Sequence, residues 1–241
     1  MRKIFDKLYN KSFEEFNKTI FKNLKNNKKM FIVTSNPETF MIANMEKDFK
    51  TLLLNKDTTI VADGIGIIKS ARMLGYKMEE RVPGIDISIN LLKYGNQLKK
   101  DLYLFGSTDE VITKMKSVLD TKYSNIKLVG SSNGYVNDKD KVFEEIISLK
   151  PDIILVALGI PEQEKLIYKH LSKFEKGIFI GVGGSLDVIS GYKKRAPKIL
   201  IKLNLEWLYR ILKEPKRIKR FYQSNIKFMF LIKKEKERKN D

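Results

Sequence analysis

Asp63 is the acidic residue of this sequence best placed to do chemistry. It lies in the stretch Val61-Ala62-Asp63-Gly64-Ile65-Gly66-Ile67-Ile68. Asp57-Thr58-Thr59-Ile60-Val61 reads as a turn entering a short buried strand, and Ile67 to Leu74 has helical spacing and stops at Gly75. A strand, Asp-Gly-x-Gly and a helix place one carboxylate at the carboxyl end of a parallel sheet, the edge where open α/β sheets bind ligands. Apolar neighbours would raise its pKa and suit it to act as a general base. The same position suits an Asp that caps the following helix, and the local sequence admits both roles. Three other loops end predicted strands in small or polar residues beside a helix start. They are Thr34-Ser35-Asn36, Gly159-Ile160-Pro161-Glu162-Gln163-Glu164 and Gly183-Gly184-Ser185-Leu186-Asp187. Free backbone amides at such starts favour phosphate. Four such loops in one sheet point to a ligand site.

Other chemistries fit less well. There is no cysteine, which excludes disulfides and thiolate-zinc sites. The single histidine, His170, excludes a poly-histidine metal site and reads as a surface or partly packed side chain. Gly181-x-Gly183-x-x-Leu186 lacks the third glycine of the dinucleotide fingerprint and lies near the end of the sheet, which argues against a nicotinamide or flavin dehydrogenase. Asp138-Lys139-Asp140 has the Asp-x-Asp pattern of some metal-dependent sugar transferases. It also opens a predicted helix, where acidic residues are favoured by the helix dipole, and a cap is the simpler reading. No metal site is expected.

The elements that must position these residues alternate. Helices are expected over 12–27, about 38–54, 67–74, from Asp86 to about Leu98, from Ser107-Thr108 to near Tyr123, 139–149 and 161–174. Strands are expected at Met30–Thr34, in the run before Asp63, and at Leu102–Gly106, Ile126–Gly130, Asp152–Gly159 and Gly177–Val182. This alternation predicts a Rossmann-like α/β fold: an open, mostly parallel sheet with helices on both faces, joined by right-handed crossovers. A hydrophobic content of 42% with 32% charged residues fits a folded chain. No stretch has the about 18 apolar residues of a membrane span, and no signal-peptide core follows the charged N-terminus, so a cytoplasmic location is expected.

After about residue 195 the strand signals vanish. Residues 1–195 read as the catalytic α/β domain and 196–241 as a helical, basic C-terminal appendage, broken at Pro197 and Pro215. The net charge is +18, and Lys193 to Asp241 holds 17 Lys/Arg against 5 Asp/Glu, whereas the first 192 residues hold 30 against 24. Such asymmetry points to a polyanionic partner: nucleic acid, an anionic lipid surface or a phosphate-bearing substrate. In the last predicted helix Ile218, Phe221, Tyr222, Asn225, Met229 and Ile232 share a face, with Lys216, Arg217, Lys219, Arg220 and Lys227 around the rest. This pattern fits a lipid interface better than nucleic acid, for which no recognised module is present. Trp207, Leu208, Ile211 and Leu212 read most simply as core.

Several motifs, in order from residue 34 to about 220, resemble the bacterial WecG/TagA/CpsF glycosyltransferase family. They are Thr34-Ser35-Asn36, Ala62-Asp63-Gly64-Ile65-Gly66, Glu80-Arg81-Val82-Pro83-Gly84-Ile85-Asp86, Leu158 through Glu164, Gly181 through Pro197, and Leu205-Glu206-Trp207-Leu208-Tyr209-Arg210 through Arg217. The resemblance implies inverting transfer of a sugar from a UDP-sugar donor to an undecaprenyl-diphosphate-linked sugar. The best-known members move N-acetylmannosamine or its uronic acid onto lipid-linked N-acetylglucosamine, for teichoic acid, enterobacterial common antigen or capsule. It implies no metal or other cofactor, no nucleic-acid partner, and a peripheral place on the inner face of the plasma membrane, with an anionic membrane surface as partner. A homo-oligomer is left open.

By the same resemblance, Asp63 matches the general base, and Thr34 and Asn36 match residues orienting acceptor or donor. Arg81 and Gln163 match pocket positions. Gly64 belongs to the base motif, Gly183 and Gly184 would let backbone approach UDP, and Asp187 is a candidate ribose contact. Arg210, Arg217 and Arg220 match arginines of the appendage that close the site. Two positions depart from the family pattern: Pro83 stands where many members have threonine, and Glu162 where lysine is usual. These leave other UDP-hexoses, such as UDP-glucose or UDP-galactose, as alternative donors. The alternative from a different class is a non-catalytic protein that binds nucleic acid or another anionic surface.

Overall fold

The computed structural model describes residues 1–237, and the last four residues of the appendage predicted over 196–241 lie outside the described residues. Its strands are β1 (Lys29–Ser35), β2 (Thr58–Ala62), β3 (Asp101–Gly106), β4 (Lys127–Ser132), β5 (Ile153–Ala157) and β6 (Gly177–Gly181). They form one sheet in the order β2-β1-β6-β5-β3-β4, with every neighbouring pair parallel. Helices α1 (Arg2–Asp6) and α2 (Phe13–Lys25) precede β1. Helices α3 (Pro37–Met45) and α4 (Lys47–Leu54) join β1 to β2, and α5 (Ile65–Met73) and α6 (Gly84–Leu98) join β2 to β3. The next three connections carry α7 (Asp109–Lys122), α8 (Lys139–Leu149) and α9 (Glu162–His170). After β6 come α10 (Ser185–Ile189), α11 (Lys198–Lys202), α12 (Glu206–Lys213), α13 (Arg217–Phe221) and α14 (Lys227–Glu237).

Side-chain alternation along the strands builds two cores. Phe31, Val33, Ile154, Val156 and Phe179 enter one core, shared with α3, α4, α5, α8, α9 and α14. Met30, Ile32, Ile153, Leu155 and Ile178 enter the other, shared with α2, α6, α7 and α10. The helix leaving β1 buries Phe40 in the first core, and the helix leaving β6 buries Leu186 in the second. Adjacent strands whose helices leave to opposite faces open a crevice between them at their carboxyl ends. The strand order brings the four suspected loops onto four neighbouring strands, β2, β1, β6 and β5, around that crevice.

Local rules explain most boundaries. The Ser12 hydroxyl caps α2 by accepting from the Glu15 N–H. The Asn36 side-chain Oδ1 accepts from the Glu38 and Thr39 N–H groups while the Thr39 hydroxyl accepts from the Asn36 N–H, a reciprocal cap around Pro37. The helix expected over about 38–54 is two helices, because Glu46 adopts an extended conformation between them. Helix 161–174 is α9 followed by a 3₁₀ turn at Leu171–Lys173. His170 is 4% exposed rather than superficial: its ring stacks on Phe143 and bonds Asp140 at 2.7 Å.

The C-terminal helices do not all behave alike. A π-helical turn at Tyr222–Ile226 links α13 to α14. One wide turn rotates every later side chain relative to the earlier ones, so the single apolar face expected from Ile218 to Ile232 is split. Ile218 and Tyr222 point to solvent, whereas Ser224, Phe228 and Ile232 are buried. Phe228 is 0% exposed, packs on Phe40 with ring centroids 5.4 Å apart, and makes α14 part of the first core. Trp207, Leu208 and Leu212 are exposed instead of forming core, with Trp207 stacked on Phe221 at 4.5 Å. No helix among the described residues is long and apolar enough to cross a membrane.

Candidate active site

Asp63 follows the last residue of β2, and its own N–H donates to the Ser35 carbonyl at the end of β1. It does not cap the helix after it. The cap position of α5 is Gly64, without a side-chain bond, and the Asp63 carboxylate instead accepts from the Gly84 N–H at 2.9 Å, the first residue of α6. The chain reaches that contact because the Val82 N–H donates to the Ala62 carbonyl, laying residues 80–83 beside the end of β2. A Cβ on Gly84 would come within 2.9 Å of the Thr34 methyl, so glycine allows Thr34, Asp63 and the start of α6 to pack together.

Burial pushes the Asp63 carboxyl above its ordinary pKa, the largest influence on it. The Gly84 N–H opposes that shift, as do the Arg210 and Arg81 charges, while Glu206 reinforces it. The group is therefore a proton acceptor of increased basicity with two guanidinium groups in its field. Asn36, just after the neighbouring strand β1, commits its side-chain oxygen to the α3 cap, which leaves its NH₂ as the end able to serve a ligand.

The other half of the crevice is held by Gln163. Its Oε1 accepts from the Gly159 N–H and the Gly183 N–H, both at 3.1 Å, and its Nε2 donates to Glu164 Oε1 at 2.7 Å. Gly183 has a left-handed backbone, φ +44°, which glycine adopts without cost, and a Cβ on Gly184 would meet open space. Asp187 accepts from the Ser107 hydroxyl at 3.0 Å and pairs with Lys193 at 3.2 Å.

Helix α12 covers this edge. Between it and the loop after β6 lies a cavity of about 330 Å³ lined by Gly184, Asp187, Lys193, Tyr209, Arg210 and Arg217, among others. Arg210 and Glu206 both line the cavity and act electrostatically on Asp63, so the carboxylate lies within the field of the cavity's charged wall. Arg210 is held by Glu206 at 2.8 Å one helical turn earlier. Arg217 pairs with Glu214 at 2.6 Å. Lys193 bridges Asp187 to Glu214, at 3.0 Å from the latter, and so ties α10 to the covering helices.

The whole chain, not only this edge, matches known proteins. The sequence profile of the glycosyl transferase WecG/TagA/CpsF family matches residues 3–241. This chain belongs to that family. Among its relatives is the N-acetylglucosaminyldiphosphoundecaprenol N-acetyl-beta-D-mannosaminyltransferase of Bacillus subtilis (strain 168), 39% identical over 208 residues, which are 86% of this chain and 81% of that protein. The protein of the same name from Staphylococcus aureus (strain MW2) is 40% identical over 222 residues, 92% of this chain and 86% of its own.

Within this WecG/TagA/CpsF glycosyl transferase, the motif residues separate into three groups. Thr34, Asn36, Asp63 and Gly64 lie at the ends of β1 and β2, with the charges of Arg81 and Arg210 acting on Asp63. Gly184, Asp187, Arg210 and Arg217 line the cavity, and Gly183 directly precedes Gly184. Gln163 and Arg220 stand apart from both: Gln163 is 2% exposed and acts inside the protein, while Arg220 lies outside the cavity lining and pairs with Glu38 in the first turn of α3 at 2.7 Å. The Asp138-Lys139-Asp140 motif caps α8 through Asp138, and Asp140 pairs with Lys169 and His170.

Two residues that matter were given no role by sequence reasoning. Glu206 was available as a carboxylate four residues before Arg210, the spacing of helical ion pairs. Glu164 is 1% exposed, pushed up by burial to about 7, with its Oε2 buried and without a hydrogen-bond partner among the described residues.

Proposed function

We propose that this protein transfers N-acetylmannosamine from UDP-N-acetylmannosamine to undecaprenyl-diphosphate-linked N-acetylglucosamine, with inversion, in the synthesis of a cell-surface polymer such as teichoic acid. The observation that carries the reading is Asp63: a carboxylate of raised pKa, at the carboxyl edge of the sheet, in the field of a cavity wall that carries arginines. The relatives' names supply the sugar and the acceptor. In one displacement, the acceptor hydroxyl oxygen bonds to the anomeric carbon and its proton passes to Asp63. The bond from that carbon to the diphosphate oxygen breaks, and UDP leaves with the electron pair. Arg210, Arg217 and Arg81 supply positive charge for the diphosphate, in a reaction proposed to need no metal. Gly183 and Gly184 admit the donor's phosphates close to backbone, and Asp187 meets the ribose. Arg220 serves the closed site through its hold on α3.

Purified protein given UDP-N-acetylmannosamine and lipid-linked N-acetylglucosamine should release UDP. UDP-glucose and UDP-galactose belong in the same panel, because Pro83 and Glu162 differ from the usual family residues. Release from none of these donors would overturn the transferase reading.

The acceptor's lipid places the reaction at a membrane surface, and we propose peripheral docking on the inner face of the plasma membrane. Ile199 on α11, Leu203 just after it and Leu212 on α12 are 72%, 60% and 71% exposed amid lysines and arginines, the composition of an interfacial surface. Deleting everything after Lys198 would also strip Phe228 and Ile232 from the core, so substitution is the sounder test. Leu203→Glu combined with Leu212→Glu should abolish sedimentation with anionic vesicles while leaving UDP binding unchanged. Retained sedimentation would move the docking surface elsewhere.

A further inference from the structure

Glu164 is a buried acid that the displacement does not use, and its surroundings define what it can do. A carboxamide has an acceptor at one end and donors at the other. Gln163 can accept from both the Gly159 and Gly183 N–H groups only in one orientation. Flipped, it would set its NH₂ against two N–H donors. Glu164 Oε1, 2.7 Å from Nε2, is the acceptor that selects the working orientation. The fit is close: a Cβ on Gly181, at the end of β6, would fall 2.4 Å from Gln163 Nε2 and 2.8 Å from Glu164 Oε1. Bare Gly181 thus leaves the space the pair occupies. Gln163 and Glu164 are both nearly inaccessible, so neither touches a substrate in the crevice directly.

Granted that a UDP-sugar occupies this crevice, as proposed above, we infer that Glu164 is a positioning residue for the donor. By fixing the Gln163 carboxamide it clamps the loop after β5 to the loop after β6 and holds Gly183 in the left-handed conformation that presents Gly184 to the diphosphate. Its effect belongs to donor binding, because the loop after β6 reaches the cavity through Gly184, next to the clamped Gly183, and Asp63 is held independently by Gly84.

UDP titrated calorimetrically into the full-length protein tests this, with donor and acceptor KM measured alongside. In Glu164→Leu the Kd for UDP and the donor KM should rise about tenfold or more, as loss of the partner of a buried amide implies. The acceptor KM should stay unchanged and kcat should fall much less than the donor KM rises. Glu164→Gln keeps an oxygen that can accept from Gln163 and should restore UDP binding to near the wild-type level. Leucine also removes a buried carboxyl whose Oε2 has no partner among the described residues, so the fold should survive. If it does not, Gln163→Met removes the clamp from its other end and must raise the Kd for UDP in the same way. Unchanged UDP binding in a folded Glu164→Leu or Gln163→Met protein would overturn the inference, as would equal losses in Glu164→Leu and Glu164→Gln. Wild-type protein that binds no UDP would overturn the proposed donor itself, and the clamp's role with it.

Discussion

Asp63→Asn should lower turnover by about three orders of magnitude, within the range lost with a general base, while leaving the protein folded. Asparagine retains an oxygen at the Oδ1 position to accept from the Gly84 N–H, so the start of α6 keeps its partner. What it loses is the ability to take the acceptor's proton. The effect on stability has a definite sign. Burial raises the folded-state pKa of Asp63 above its unfolded value, so its protonated form is favoured by folding. That contribution is fully present below the unfolded pKa and is lost as pH rises through the folded pKa. At neutral pH the ionised carboxylate is therefore a cost, and Asp63→Asn should melt at the same temperature as wild type or slightly higher. Activity of the wild type should rise with pH through the raised pKa, a limb absent from the residual activity of the variant. Wild-type rates in Asp63→Asn would leave Asp63 as no more than the cap of α6.

Arg210→Ala should reduce kcat by about a hundredfold, the scale seen when one preorganised donor to a developing charge is removed. Glu206 holds the guanidinium at 2.8 Å on the same helix, so the charge is in place before substrate arrives. The pH profile provides a second reading. Arg210 stabilises the ionised form of Asp63, so removing it should push the Asp63 pKa further up and move the rising limb to higher pH. Arg81→Ala should move it in the same direction by less, since its influence on Asp63 is smaller. A purely structural role for Arg210 would alter melting without moving the limb; that outcome, with kcat intact, would remove it from the chemistry.

Much of this arrangement is written locally in the chain. The alternation of buried strands with amphipathic helices, the caps at Ser12, Asn36, Thr108 and Asp138, and the glycines of the β6 loop all follow from neighbours within about four residues, the range of turn and capping rules. The motif series also marked Asp63, Arg210 and Arg217 as parts of one site. The break within residues 38–54 is not legible in the sequence, because the apolar spacing continues past Glu46 while the break depends on the backbone there. The apolar face from Ile218 to Ile232 failed for a related reason: a wide turn at 222–226 changes the phase that periodicity assumes to be constant.

Contacts between residues far apart in sequence were decided by the tertiary structure alone. Periodicity gives six strands but not their order, and only the order β2-β1-β6-β5 makes four separate loops neighbours. Asp63 caps α6 rather than α5 because residues 80–83 return beside β2, a contact 21 residues away. Gln163 joins Gly159 to Gly183, 20 residues on, and so turns a motif residue into an internal clamp. Phe228 fixes α14 against Phe40 while Ile199, Trp207 and Leu212 of α11 and α12 stay outside, although both regions are basic and carry apolar residues in sequence. Composition and spacing determine which side chains can bury or do chemistry; which of them meet is settled by strand order and helix packing, whose free energy comes from surfaces brought together across the whole chain.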